Sequence, residues 1–152
     1  MQSNKELGAH ALLVAPDGKI LLVLKGSDYT YDRNNAGKVS MFGGRIESGE
    51  DVLTGLRREL SEELGLEISP DRARELNVYQ KTKELDGADV EVHIFVVSGI
   101  DPAAIHLQAE GSDIETPDVN EKIISGTAEE LLLRADLTRI TRMAIEDFIT
   151  ST

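Results

Sequence analysis

Residues 48–65 constrain this chain more than any other stretch, because two patterns are superimposed on them. Leu53, Leu56, Leu60 and Leu64 recur at intervals of three and four, which marks the apolar face of an α-helix. A helix with one apolar face has to bury it, so the chain must supply a sheet or further helices to cover it. Ser48 or Gly49 is placed to cap the start, Glu50 and Asp51 suit the positive end of the helix dipole, and Gly65 suits the stop. On the adjoining arc stand Glu59, Glu62 and Glu63, at i, i+3 and i+4, beside the leucine stripe rather than opposite it. Like charges at this spacing destabilise a helix by a few tenths of a kcal/mol per pair, on the order of ~0.2–0.5. Arg57 and Arg58 precede the triplet without neutralising its face. Clustered carboxylates of this kind suit a hard divalent cation, with waters and phosphate oxygens completing its shell. A solvated acidic face is the competing reading of these three residues.

The rest of the chain supplies the covering elements. Residues 9–14 and 20–24 are apolar and flank Pro16-Asp17-Gly18-Lys19, which reads as a β-hairpin. Residues 26–38, GSDYTYDRNNAGK, form a polar loop long enough to suggest a functional role. Residues 39–42 make a short strand that runs into Gly43-Gly44. Residues 76–85 and 90–97 are strand candidates around Asp86-Gly87-Ala88-Asp89, a second hairpin, and residues 105–109 are a weaker one. A short helix capped by Ser125 or Thr127 runs to Leu133. A longer one, capped by Asp136, turns Leu137, Ile140, Met143, Ala144, Ile145 and Phe148 inward. Helices interleaved with hairpins predict an α/β domain with a largely antiparallel or mixed sheet. With neither an internal repeat nor a linker, residues 1–152 are expected to form a single domain.

Charge narrows the partners. Lys and Arg number 16 against 28 Asp and Glu, a formal net of −12. Such a balance argues against a nucleic-acid polymer or an anionic membrane as partner, since both call for a basic surface. The absence of cysteine excludes disulfides and thiolate chemistry. The polar start, MQSNKELG, has no apolar signal core, so the expected location is cytoplasmic. The acidity is uneven. Residues 1–43 carry five cations against four anions, whereas residues 84–130 carry twelve acids opposed only by Lys122, a stretch that reads as a solvated acidic surface.

Read on from Gly44, the sequence GRIESGEDVLTGLRRELSEELGL resembles the Nudix box, GX5EX7REUXEEXGU with U apolar, at every defined position. Gly43 and Glu47 complete the GGxxExGE opening common in that family. The resemblance implies a Nudix-like α/β/α sandwich with a central mixed β-sheet over most of residues 8–150. Phe42 and Gly55 depart from the family's frequent proline and alanine, and neither is a ligand position. Gly55 inside a helix costs up to ~1 kcal/mol against alanine.

What the resemblance implies is a diphosphohydrolase (pyrophosphatase) requiring Mg²⁺ or Mn²⁺, which cleaves a nucleoside diphosphate linked to another moiety. Glu59, Glu62 and Glu63 would be metal ligands, with the Gly44 carbonyl and Glu47 as further ones. Glu50 and Arg58 would orient loop and helix through a salt bridge. For the general base, Glu62 is the candidate within the box, alongside Glu63 as a catalytic carboxylate, and Glu110 the candidate from a later loop. In the residue 26–38 loop, Tyr29 and Tyr31 suit stacking on a base, while Arg33 and Lys38 suit phosphate. His10 and His93 read as packed sheet residues, and His106 lacks a nameable partner. The partner is a small-molecule nucleotide, whether a nucleoside triphosphate or a nucleotide sugar, and the resemblance admits a homodimer. The alternative is a Nudix domain that binds a nucleotide without cleaving it; such domains usually lose a box glutamate, and this chain keeps them all.

Overall fold

In the computed structural model, which describes residues 6–25, 37–82, 89–107 and 122–151, seven strands form one mixed sheet. They are β1 (Glu6–Val14), β2 (Ile20–Leu24), β3 (Val39–Ser40), β4 (Phe42–Arg45), β5 (Ala73–Thr82), β6 (Asp89–Val97) and β7 (Lys122–Gly126). The helices are α1 (Val52–Leu64), α2 (Ala128–Leu132) and α3 (Arg139–Thr150). The backbone order β3-β2-β1-β6-β5 is extended by β4 against β1 and by β7 against β2. Among these seven strands the pairings are antiparallel except that of β1 with β6.

Strand side chains alternate between the two faces, and the sheet is covered on both. On one face Ala9, Ala11 and Leu13 of β1, Leu21 and Val23 of β2, and Phe95 and Val97 of β6 pack with Leu56, Leu60 and Leu64 of α1. On the other, Leu12, Ile20, Leu22, Val92 and Ile94 pack with Ala128 and Leu131 of α2 and Ala144 and Ile145 of α3. The result is the expected α/β/α sandwich. Among the described residues, no helix is long and apolar enough to cross a membrane.

Several boundaries differ from the sequence reading. Neither Ser48 nor Gly49 caps α1: Asp51 does, accepting from the Thr54 N–H at 2.8 Å, and Glu50 lies outside the helix. The segment 39–42 is two strands with different partners, β3 on β2 and β4 on β1, and β4 continues through both glycines. The strand expected at 76–85 starts earlier, as β5, and carries a bulge between Glu75 and Asn77. Residues 105–107 are not strand. β7 was not anticipated from the sequence.

The C-terminal helix is capped by Thr138, not by Asp136. The reason is an extended stretch just before it. The Val39 N–H donates to the Asp136 carbonyl at 2.8 Å, and the Thr138 N–H donates to the Val39 carbonyl at 3.0 Å. Residues 136–138 are thus held beside Val39, and helical geometry starts only after them. Thr127 caps α2 with a reciprocal capping box, its hydroxyl accepting from Glu130 N–H and the Glu130 carboxylate accepting from Thr127 N–H.

Candidate active site

The carboxylate face of α1 lies over β4 and β1, and the two glycines of β4 determine how closely. Gly43 has φ of 141°, and a Cβ there would sit 2.1 Å from the Ala9 carbonyl oxygen. A side chain is therefore excluded on both grounds. A Cβ on Gly44 would sit 2.6 Å from the carboxyl carbon of Glu59. The missing side chain is the space that Glu59 fills. One turn on, Glu63 is buried and accepts the Gly43 N–H at 3.2 Å. Glu62, three residues after Glu59, points outward and is largely exposed. The glutamate arc is therefore graded: Glu59 and Glu63 are held against backbone, and Glu62 is open to solvent.

The loop before α1 is docked by charge. Glu47 N–H donates to Glu50 Oε1 at 2.8 Å, closing a tight turn. Arg58 Nε donates to Glu50 Oε2 at 2.8 Å and Nη2 to Glu50 Oε1 at 3.0 Å, while Nη2 also donates to the Arg45 carbonyl at 3.0 Å. The Arg58 bonds, then the Glu47 N–H, hold the Glu50 carboxyl below its ordinary range. Reciprocally, Glu50 chiefly, and Glu59 after it, raise the Arg58 guanidinium. Both departures from the family pattern find their place here. The side chains of Ile46 and Glu50 fill the space beside Gly55, with Ile46 Cδ1 only 2.4 Å from where a Cβ would be. Phe42 is fully buried in the core beneath α1.

Arg58 Nη1 is shared. It donates to Glu59 Oε1 at 3.1 Å and Glu62 Oε2 at 3.2 Å and stands 3.8 Å from Glu47 Oε1. Among the described residues, no three carboxylate or imidazole groups are gathered so as to hold a metal. The donor set nonetheless suits a hard cation. Its oxygens come from Glu47, Glu59, Glu62 and Glu63, Gly44 makes room for one of them, and a positive group already sits among three.

Of the loop candidates, Lys38 is exposed, and its carbonyl accepts the Lys25 N–H at 2.9 Å, tying the end of β2 to the start of β3. Tyr29, Tyr31, Arg33 and Glu110 lie outside the described residues. Reading by residue type alone missed the environment of His93. Ala9 pairs with both Gly44 and His93, so His93 shares the α1 face, two strands from Gly44. Its Nδ1 lies 3.3 Å from Glu75 and its Nε2 2.9 Å from Glu91. The alternating VEVHIFVV pattern carried the strand signal but not these partners, one of which comes from β5.

The NUDIX domain profile matches residues 4–142. The chain belongs to the NUDIX family. Its chemical class is accordingly that of a Nudix-type hydrolase, acting on a small-molecule nucleotide. Solved structures share the fold at low identity. The MutT NUDIX hydrolase from Burkholderia pseudomallei is 24% identical, over 95% of this chain and 98% of that one, with a TM-score of 0.69. The MutT protein of Methanosarcina mazei is 20% identical over 99% and 97%, with a TM-score of 0.71. The E. coli ORF135 protein is 22% identical over 97% and 91%, with a TM-score of 0.69. No curated protein matches this NUDIX chain in sequence.

Proposed function

We propose that this NUDIX protein is a metal-dependent diphosphohydrolase, in which water attacks phosphorus of a nucleoside diphosphate linked to another moiety. The observation that carries the reading is the graded carboxylate arc of α1, fitted against a glycine backbone. Glu59, Glu62 and Glu63 would hold Mg²⁺ or Mn²⁺, with Glu47 and the Gly44 carbonyl as further donors. Bound there, the cation supplies charge neutralisation for the diphosphate oxygens and lowers the pKa of water. The chain's own residues do the rest. Gly43 N–H holds Glu63 in one orientation, and the Glu50–Arg58 pair holds the loop against the helix. Glu62 is open enough to accept the proton from the attacking water. Glu110 is the alternative base, and Tyr29, Tyr31, Arg33 and Lys38 are assigned to base and phosphate contacts. Nucleoside triphosphates and nucleotide sugars both contain this linkage, and both are candidate substrates.

The test is a panel of nucleoside triphosphates, nucleotide sugars and dinucleotides with Mg²⁺ and with Mn²⁺, repeated with Glu62→Gln and Glu63→Gln. Cleavage of one class at its diphosphate, read by chromatography of the nucleotide products and lost in both variants, is the expected result. A wild type inert to the whole panel, or two fully active variants, would overturn the reading. Without metal, calorimetry is expected to show weak or no polyphosphate binding, because residues 45–63 then present six acids against three arginines.

A further inference from the structure

The guanidinium of Arg58 has two edges, and they are bonded differently. Nε and Nη2 form a fork on both oxygens of Glu50, at 2.8 and 3.0 Å, and Nη2 adds the Arg45 carbonyl. That edge is satisfied, and both side chains are mostly buried, 23% exposed for Arg58 and 15% for Glu50. Nη1 has no carboxylate to itself. It lies between Glu59 at 3.1 Å and Glu62 at 3.2 Å, with Glu47 at 3.8 Å. Three formal negative charges therefore share one nitrogen of a cation already paired with a fourth. A planar guanidinium offers its donors on separate edges, so contacts of Nη1 can be lost while the Glu50 fork stays intact.

We propose that Nη1 of Arg58 is the resident counter-cation of Glu47, Glu59 and Glu62, and that a divalent cation binding these carboxylates displaces it while Nε and Nη2 remain on Glu50. The inference rests on the metal-dependent reading above. It assigns Arg58 two opposed effects. The side chain keeps the carboxylates together when no metal is present, and it lowers their affinity for metal, because the incoming cation must replace contacts already made. Binding reports the difference between the two states, not the strength of the new contacts alone. A purely orienting role has the opposite sign: removing the group that aligns Glu59 would weaken metal binding.

Calorimetric titration of Mn²⁺ into nucleotide-free protein separates the two. Arg58→Gln is expected to bind Mn²⁺ about twofold to fivefold more tightly than wild type, the scale of a partly exposed charge contact. It is also expected to melt at a lower temperature when metal-free. Unchanged or weaker binding by a folded Arg58→Gln overturns the proposal. Should the variant not fold, side-chain ¹⁵N spectra of the wild type decide. On adding Mg²⁺, the Arg58 Nε–H signal should stay protected while exchange of the Nη1 protons with water quickens. Nη1 protons unaffected at saturating Mg²⁺, or an Nε–H lost along with them, refutes the displacement. If wild type binds no divalent cation, the metal-dependent reading itself fails. If it binds metal and hydrolyses nucleotide while Nη1 stays in place, only the present inference fails.

Discussion

The two faces of the sheet are built from different residues although they share the same strands. Beneath α2 and α3 the strands present Leu12, Ile20, Leu22 and Ile94, all fully buried, against Leu131, Ala144 and Ile145. Beneath the carboxylate arc of α1 they present Ala9, Ala11 and Gly44. Bulk maximises the apolar area removed from water, roughly 25 cal/mol per Å². Small residues give up part of that area and leave room for side chains that cannot be buried in hydrocarbon. The trade is local: under the arc the α1 face gives up bulk for chemistry, while Leu13, Leu21, Phe42 and Phe95 pack the rest of that face as fully as the α3 face is packed.

Substitutions can break that division. Ile145→Ala leaves a cavity in a fully buried position and should cost about 2–5 kcal/mol, read from urea unfolding midpoints. Hydrolysis per folded molecule should be unchanged below the transition; a parallel loss of turnover would show the faces to be coupled. Gly44→Ala drives a methyl into the Glu59 carboxylate and should lower hydrolysis by about a hundredfold, the scale of an ångström-sized misplacement. Its midpoint should move much less than that of Ile145→Ala, and an equal move would remove the distinction. Thr127→Ala deletes the capping box of α2 and should cost about 1 kcal/mol with full activity retained.

The smallest effect is expected from Asp136→Asn. Arg134 bonds both carboxylate oxygens of Asp136, at 2.8 and 2.9 Å, and holds its pKa below the ordinary value. A carboxyl with a depressed folded pKa contributes stability above its unfolded pKa and loses it as pH falls through the folded one. Wild type and variant should differ slightly at pH 7 and converge in strong acid, by urea midpoints across the range. A gap that widens in acid would contradict the assignment. The pair is partly exposed, so solvent screens it.

Periodicity made α1, the first hairpin and the α/β class legible, because those patterns repeat within one element. The glutamate arc was legible for the same reason. What escaped depended on partners distant in sequence. β7 is five residues that pair with β2 and have little alternation of their own. The cap at Thr138 was hidden because Asp136 is the better cap by type, and only the bonds to Val39 disqualify it. At the start of α1, Ser48, Gly49 and Asp51 are all plausible caps. The Arg58 bond to Glu50 accompanies a start at Val52, which leaves Glu50 in the loop rather than in the helix. His93 was read by its strand, while its chemical setting is set by Glu75 across the β5 bulge.

The parallel pairing of β1 with β6 also has a consequence in time. β1, β2, β4 and α1 come from one continuous stretch of chain, whereas β6 arrives from well downstream to lie between β1 and the edge strand β5. Closing the longer loop costs more entropy before any contact rewards it. The carboxylate helix can therefore dock on its two nearest strands in the folding nucleus, with β6 joining late. Leu56→Ala should then chiefly slow refolding, whereas Ile94→Val should chiefly quicken unfolding.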